Sequence, residues 1–351
     1  MRRIIMLQML LVAIAALFTS STLMAGTFNV TAAGTAVVTL TNEDEVVVLD
    51  AIKTDVDIVV MTTSPEGDFI SVPHSLEGVK NIVLNVRGGS NSVTADFHEF
   101  EGYVTIRSGN EDDSVFLSGS IGGNLSIITA GGDDSVTVID TSALGFTTIS
   151  TASGDDHVDI SDLYAVKRLQ LLTGLGDDAV LMGSVSVSTI ENGVYMNYLQ
   201  PQGGIQPNRN VVLLSNATIN TSSGDDDVHI NDISVYGLFN LSTGAGFDVV
   251  TINGSDFNSS VLVNAGAQDD DVTATDTGFY GSTTFKGASG SADIYRDDES
   301  NMFFTTSVNT SFEQFLPPVG PIIDVEICYE LNATVSYVYN ELPNECDLST
   351  D

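Results

Sequence analysis

Apolar and polar residues alternate in short stretches that recur along the chain. Val136 and Val138 flank a polar residue, and Val158 and Ile160 repeat the arrangement 22 residues later. Alternation with a period of two indicates half-buried β-strands. Because no long window shows helical periodicity, the chain is predicted to be all-β.

A Gly-Asp-Asp turn, or Gly-Phe-Asp in the last copy, precedes a strand that begins with Val and has an apolar residue two positions later. The clearest copies read TAGGDDSVTV, TASGDDHVDI, TGLGDDAVLM, TSSGDDDVHI and TGAGFDVVTI. The second acidic position falls at Asn91, Asp113, Asp134, Asp156, Asp178, Asp226, Asp248 and Asp270. The steps between these positions are 22, 21, 22, 22, 48, 22 and 22 residues. The long step predicts two coils, one without the motif, and a loop at Gln200 to Asn210.

Fixed spacing of this kind predicts coils that stack about 4.8 Å apart with like residues above one another. A coil of 22 residues has room for three short strands and three turns. We therefore predict a parallel β-helix solenoid, right-handed by the usual crossover preference. The length of the chain suggests roughly 12 to 14 coils at this repeat length.

The chain divides into four predicted regions. Residues 1–25 have the basic start, apolar run and small-residue end of a signal peptide. Residues 26–80 are expected to form an N-terminal cap and the first coils, and residues 81–316 the repeats, with an insertion near 190–212. Residues 317–351 are expected to form a C-terminal cap in which Cys328 and Cys346 pair as a disulfide.

The formal net charge of the chain is −36, which limits the kinds of partner that it can bind. Such a surface repels nucleic acid and anionic membranes but attracts divalent cations. No stretch after the leader is apolar enough to predict a transmembrane segment. We expect a protein that is secreted and lies in the extracellular space or at the cell surface.

The second Asp of each turn has the same parity as the inward Val two residues later, so its carboxylate is predicted to point into the turn. Stacked like charges about 5 Å apart would repel by about 3 kcal/mol per pair at an effective dielectric of 20. Protons, hydrogen bonds from turn N–H groups or a divalent cation could offset this repulsion. A purely structural Asp turn is the alternative to a metal site.

Two copies of the turn carry a family resemblance. Gly174 to Val180 and Gly244 to Val250 resemble the G-x-G-x-D-x-U core of the RTX, or haemolysin-type, calcium-binding repeat. That family has a period of nine, whereas this motif occurs once in 22 residues. The resemblance implies that Asp178 and Asp248 bind Ca²⁺, and by the same register Asp113, Asp134, Asp156, Asp226 and Asp270 would follow. Weak binding is expected, as in extracellular modules. Because the 48-residue step interrupts the ladder, the ligands are expected in two runs, Asp113 to Asp178 and Asp226 to Asp270.

The leading functional hypothesis is a non-catalytic structural or adhesive scaffold, with divalent cations, surface glycans or other matrix proteins as partners. The alternative is a carbohydrate-active β-helix enzyme, a lyase or a hydrolase. Its candidate residues are Lys167 and Arg168, with Tyr195 and Tyr198 near the predicted loop. The four His residues fall at unrelated positions of the repeat, which disfavours a triad or a zinc site.

Overall fold

Stacked parallel strands make up almost all of the structure. The computed structural model describes residues 26–41, 43–63, 69–183, 211–297, 299–316 and 336–337. The described chain is all-β, a parallel β-solenoid with about 22 residues per turn, as predicted. The handedness of the solenoid stays a prediction.

One side of the solenoid is a single stack of strands, called here the first sheet. Its inner members pair in parallel, for example Ile127 with Ile149, and both of these side chains are fully buried. In spatial order its strands are Thr27–Val30, Thr35–Thr39, Asn81–Asn85, Val104–Arg107, Leu125–Ile128, Thr147–Ser153, Leu169–Leu175, Ala217–Asn220, Phe239–Ala245, Val261–Ala267, Thr283–Lys286, Ser307–Thr310 and Ser336–Tyr337.

The second sheet bends at a corner in each coil and therefore forms the other two sides of the solenoid. Asp140, Asp162 and Asp232 occupy that corner with positive φ values of 48°, 53° and 58°, a conformation that Asp tolerates better than most residues. The strands are Glu45–Ile52, Asp55–Thr63, Phe69–Leu76, Ser92–Phe100, Ser114–Ile121, Ser135–Ala143, His157–Ala165, Ala179–Met182, Val211–Leu213, Asp227–Asn231, Ile233–Val235, Val249–Asn253, Asp256–Phe257, Asp271–Thr275, Gly278–Phe279, Ile294–Asp297, Met302–Phe303 and Gln314–Leu316.

The core is a column of inward side chains in which like residues stack on like. Val136, Val158, Val180 and Val228 lie in register on consecutive coils and are fully buried. Towards the C-terminal end aromatic rings replace the aliphatic chains, and three buried or half-buried Phe rings stack in parallel at centroid distances of 5.5 and 4.9 Å. The alternation read from the sequence therefore identified the core correctly.

Antiparallel strands close the N-terminal end. Thr27–Val30 pairs antiparallel with the first parallel strand of the first sheet. Asp55–Thr63 and Phe69–Leu76 extend the second sheet antiparallel to Glu45–Ile52. An end closed in this way offers no parallel strand edge for further stacking.

The 48-residue step does not contain a lost coil, so that prediction is wrong. Ala179–Met182 pairs directly with Asp227–Asn231, and Val211–Leu213 pairs with the second half of the preceding coil. The chain therefore leaves this coil after Gly183 and rejoins it at Val211. A similar excursion separates Thr35 from its partner Asn81. These two excursions use up chain length, and the described residues form about nine turns, whereas 12 to 14 were predicted for the chain.

Several predicted features lie outside the described residues. They are the leader at 1–25, Cys328 and Cys346, the loop from Gln200 to Asn210, and most of the C-terminal region 317–351. No helix long and apolar enough to span a bilayer occurs in the described part of the chain.

The register predicts that the excursion after Gly183 is dispensable for folding. In the preceding coil Ser161, Asp162 and Leu163 occupy the positions that correspond to Gly183, one missing residue and Val211. Replacing residues 184–210 by a single Asp should therefore give a folded solenoid with an unchanged β-sheet circular dichroism spectrum and a cooperative melt. A chain that is unfolded after this replacement would contradict the register.

Candidate functional site

All seven predicted Asp residues lie in one buried column at the turn between the two sheets. Their side chains are between 1% and 3% exposed, although each belongs to a turn. The column consists of Asp113, Asp134, Asp156, Asp178, Asp226, Asp248 and Asp270. Parity alone thus predicted correctly that the second Asp of each turn points inward.

Close contact between coils explains the Gly that precedes the second acidic position by two residues in five of the seven turns, at Gly132, Gly154, Gly176, Gly224 and Gly246. Gly176 has φ of 132°, and a Cβ added there would lie 2.0 Å from the carbonyl oxygen of Gly154 in the coil before. Any larger residue would push the coils apart as well as strain the backbone. The turn is therefore fixed in the position that brings successive carboxyl groups together.

A hydrogen bond joins each of these residues to the next coil. The backbone N–H of Asp134 donates to Oδ1 of Asp156 at 2.9 Å, and the N–H of Asp156 donates to Oδ1 of Asp178 at 3.0 Å. The same bond crosses the long step from Asp178 to Asp226, at 2.9 Å. The prediction of two separate runs is therefore wrong, because the column is continuous.

Four residues at the ends of the column were missed by the sequence analysis. Glu45 donates its N–H to Asn91, Asn91 donates to Asp113, Asp270 donates to Asp293, and Asp293 donates to Glu313. We call the whole series from Glu45 to Glu313 the inner ladder. Asn91 was aligned with the motif but not proposed as a site, and Asp293 lies in the degenerate copy GASGSADIYR.

The first Asp of each pair forms a second, exposed series that the sequence analysis also missed. The N–H of Asp155 donates to Oδ1 of Asp133, and the N–H of Asp177 donates to Oδ1 of Asp155, each at 2.9 Å. These bonds run toward the preceding coil, opposite to those of the inner ladder. This outer ladder consists of Asp112, Asp133, Asp155, Asp177, Asp225 and Asp269, with Phe247 taking the place of one Asp.

Thr residues at the start of each turn complete the buried polar column. Thr129, Thr151, Thr173, Thr221 and Thr243 are fully buried. The hydroxyl of Thr151 donates to the carbonyl oxygen of Thr173 at 3.3 Å, and that of Thr221 donates to the carbonyl oxygen of Thr243 at 3.1 Å. The hydroxyl of Thr243 likewise donates to the carbonyl oxygen of Ala265, so three of the five hydroxyl groups tie coils together, whereas those of Thr129 and Thr173 have no hydrogen-bond partner.

The second carboxyl oxygen of the inner ladder has no hydrogen-bond partner in most coils. Oδ2 is buried and unpaired in Asp134, Asp156, Asp178, Asp226, Asp248 and Asp270. The hydroxyl of Thr129 lowers the pKa of Asp134, although it makes no hydrogen bond of good geometry to that oxygen. A buried acceptor without a donor is costly, and more so when charged.

Burial raises the pKa of all six of these carboxyl groups above the usual value of 3.8, and far above it in five of them. Desolvation is the largest cause, and the neighbouring carboxylates add to it, whereas the Thr hydroxyl and the backbone N–H work in the opposite direction. The pKa rises to about 7 for Asp134, Asp178, Asp226 and Asp270, and to about 6 for Asp156. At mildly acidic pH the four carboxyl groups with a pKa of about 7 are therefore largely protonated.

Calcium fits this column only in part. The unpaired Oδ2 atoms are hard oxygen ligands of the type that Ca²⁺ takes, but the ion prefers six to eight of them. Among the described residues no group of three or more His, Cys, Asp or Glu side chains is arranged to hold a metal. Carbonyl or water oxygens would have to supply the remaining ligands, which is consistent with weak binding.

The basic pair proposed for an enzyme is engaged in local contacts. Nη2 of Arg168 donates to Oε1 of Gln170 at 2.9 Å, and Nζ of Lys167 lies 5.2 Å from the ring centroid of Phe146. Tyr195 and Tyr198 lie outside the described residues. The enzyme hypothesis stays an untested prediction.

Comparison with known proteins adds no relative. No protein-family model matches the chain, and no curated protein or solved structure matches it either. The similarity to RTX repeats therefore remains a similarity of the turn motif.

Alanine substitutions should distinguish the two ladders. Asp156→Ala removes the acceptor of a buried N–H, and we expect it to lower the free energy of unfolding by about 1–3 kcal/mol. Asp155→Ala removes an exposed acceptor that water can replace, so the loss should stay below about 0.5 kcal/mol. Urea denaturation of both variants measures the difference, and equal losses would contradict the assignment of inner and outer roles.

Stability should depend on pH in the direction set by the raised pKa values. The folded ladder binds protons that the unfolded chain has already lost, so the stabilisation is complete below pH 3.8 and disappears as pH rises through about 7. In chelator-containing buffer we expect the melting temperature to fall between pH 5 and pH 8.

The variant Asp178→Asn is the matched test of this pH dependence. Its amide oxygen can still accept the N–H of Asp156, and Asn91 already shows an amide in the same column. We expect this variant to lose less stability than the wild type between pH 5 and pH 8. An identical pH dependence in both proteins would show that Asp178 does not carry the proton.

Proposed function

We propose that this protein is a secreted, non-catalytic structural scaffold that acts as a short, stiff solenoid outside the cell. The observation that supports this proposal most directly is the inner ladder, which links successive coils from Glu45 to Glu313. A chain whose coils are tied together by the same bond at each level resists bending and local opening.

The surface charge fits an extracellular setting with divalent cations. The exposed outer ladder adds a row of carboxylates along one corner, and the net charge is −36. Surface glycans and other matrix proteins are the partners that we propose for an adhesive role. Immunolabelling of intact cells of the native host should detect the protein outside the membrane, and confinement to the cytosol would contradict this proposal.

Calcium is proposed as a weak ligand that replaces protons on the inner ladder. Neighbouring coils lie about 4.8 Å apart, which is twice a typical Ca–O distance of about 2.4 Å. An ion between two unpaired Oδ2 atoms could therefore contact both of them. Its binding requires ionised carboxyl groups, so it should compete with protons.

A calcium melt at two pH values tests this ligand. At pH 8 about 10 mM Ca²⁺ should raise the melting temperature by about 2–4 °C, since a dissociation constant near 1 mM stabilises by about 1.4 kcal/mol per site. At pH 5 the shift should be absent, because protons occupy the same oxygens. The triple variant Asp134→Asn, Asp156→Asn, Asp178→Asn serves as the control and should respond to calcium less than the wild type.

The calcium and scaffold parts of the proposal can fail separately. A melting temperature that is unmoved by calcium and by chelator at pH 8 would exclude the ion but leave the scaffold intact. The alternative of a carbohydrate-active enzyme depends on the loop from Gln200 to Asn210, which lies outside the described residues, and no described contact favours it.

A further inference from the structure

The third corner of the solenoid differs from the other two in charge. This corner is the turn that leads from the second sheet back to the first. From residue 144 onward it consists of residues 144–146, 166–168, 214–216, 236–238, 258–260, 280–282 and 304–306, which contain no Asp or Glu. We call this column the apolar seam. The other two corners are lined by the outer ladder and by Asp140, Asp162 and Asp232.

Large apolar side chains stand exposed along the seam. Tyr236 is 51% exposed, Phe146 49% and Phe304 59%, although such groups are usually covered. Tyr280 and Phe304 stack with ring centroids 4.5 Å apart. The other exposed members are Leu144, Leu214 and Leu238. Five of the seven segments expose a large apolar side chain, whereas 166–168 exposes Lys167 and Arg168 and 258–260 is Asn-Ser-Ser. Exposed apolar groups repeated along one corner indicate an interaction surface.

The coils of the seam are in continuous register. The N–H of Leu214 donates to the carbonyl of Ala165, that of Tyr236 to Leu213, and that of Phe304 to Phe279. Seven turn segments therefore follow one another along the axis, over about 29 Å at about 4.8 Å per coil. A strip that repeats coil by coil can align with the same strip of a second copy.

We propose that this chain pairs with a second copy of itself, seam against seam. Two molecules of charge −36 repel each other, and the repulsion is smallest where the facing surfaces carry no carboxylate. Only this corner meets that condition among the described segments after residue 143. Its charged residues, Lys167 and Arg168, are both basic, and the acidic corners of both copies would point away from the contact.

The pairing is isologous, with a two-fold axis across the middle of the seam. The segment 236–238 is the fourth of the seven, so Tyr236 and Leu238 of one copy meet the same residues of the other. The turn segments and the flanking outward positions bury on the order of 600 Å² per copy, at the low end for a specific interface. The turn segments carry no carboxylate, and Asp256 is the one acidic residue among the flanking outward positions. The dimer is therefore weak and depends on concentration.

Sedimentation velocity of the full mature chain over a range of concentrations, at low and at high salt, tests the pairing. Wild-type protein should shift from monomer to dimer as concentration rises, and more readily at high salt, because salt screens the repulsion between the acidic surfaces. The double variant Tyr236→Asp, Leu238→Asp places four carboxylates at the two-fold axis. Its dissociation constant should rise by more than about tenfold.

A matched control separates the seam from general charge. The double variant Leu175→Asp, Phe247→Asp makes the same change in net charge at two exposed apolar residues on the acidic turn. Phe247 occupies a position where other coils carry Asp, so this variant should fold and dimerise like the wild type. Thermal melts of both variants confirm that each is folded.

Three outcomes would overturn the proposal. The first is a wild type that stays monomeric at the highest concentration and salt. The second is a seam variant that associates as strongly as the control. The third comes from small-angle scattering: side-by-side pairing should leave the maximum dimension almost unchanged, whereas a doubled length would show end-to-end contact instead.

Discussion

The fold depends on one repeated interaction, the hydrogen bond from a buried backbone N–H to the carboxyl group of the next coil. Turns expose backbone donors that a sheet would otherwise satisfy, and a buried turn must find acceptors for them. Oδ1 of Asp156 and of Asp178 supplies that acceptor for the coil before. The Gly residues, the inward Thr hydroxyls and the fixed repeat length all serve to keep this contact in register.

The same interaction places carboxyl groups in a stack, and the charge of that stack has to be neutralised. Desolvation and mutual repulsion raise the pKa of Asp134 to about 7, so that a proton occupies what would otherwise be a buried charge. Ten ladder bonds hold the coils together from Glu45 to Glu313. Some of the acidic residues, which one would expect at the surface, thus lie in the interior.

The repeat and its parity were sufficient to predict the solenoid, the core Val column and the inward direction of the second Asp. They failed at the 48-residue step after Asp178. The spacing between two motifs does not show whether the residues between them form an extra coil or an excursion from one coil. They also missed Glu45 and Glu313, since the end positions lack the Gly-Asp-Asp turn. The hydrogen bonds of the outer ladder run in the opposite direction because of the local backbone geometry of the turn, which cannot be read from the residue types.

Infrared spectroscopy of the carboxyl groups tests the central claim most directly, because protonated and ionised carboxyl groups absorb at separate frequencies. The account predicts that folded protein at pH 6, without calcium, shows the band of protonated carboxyl groups, and that Asn substitutions at Asp134, Asp178 and Asp226 weaken it. A spectrum with only ionised carboxylates at pH 6 would contradict a ladder that is held together in its neutral form.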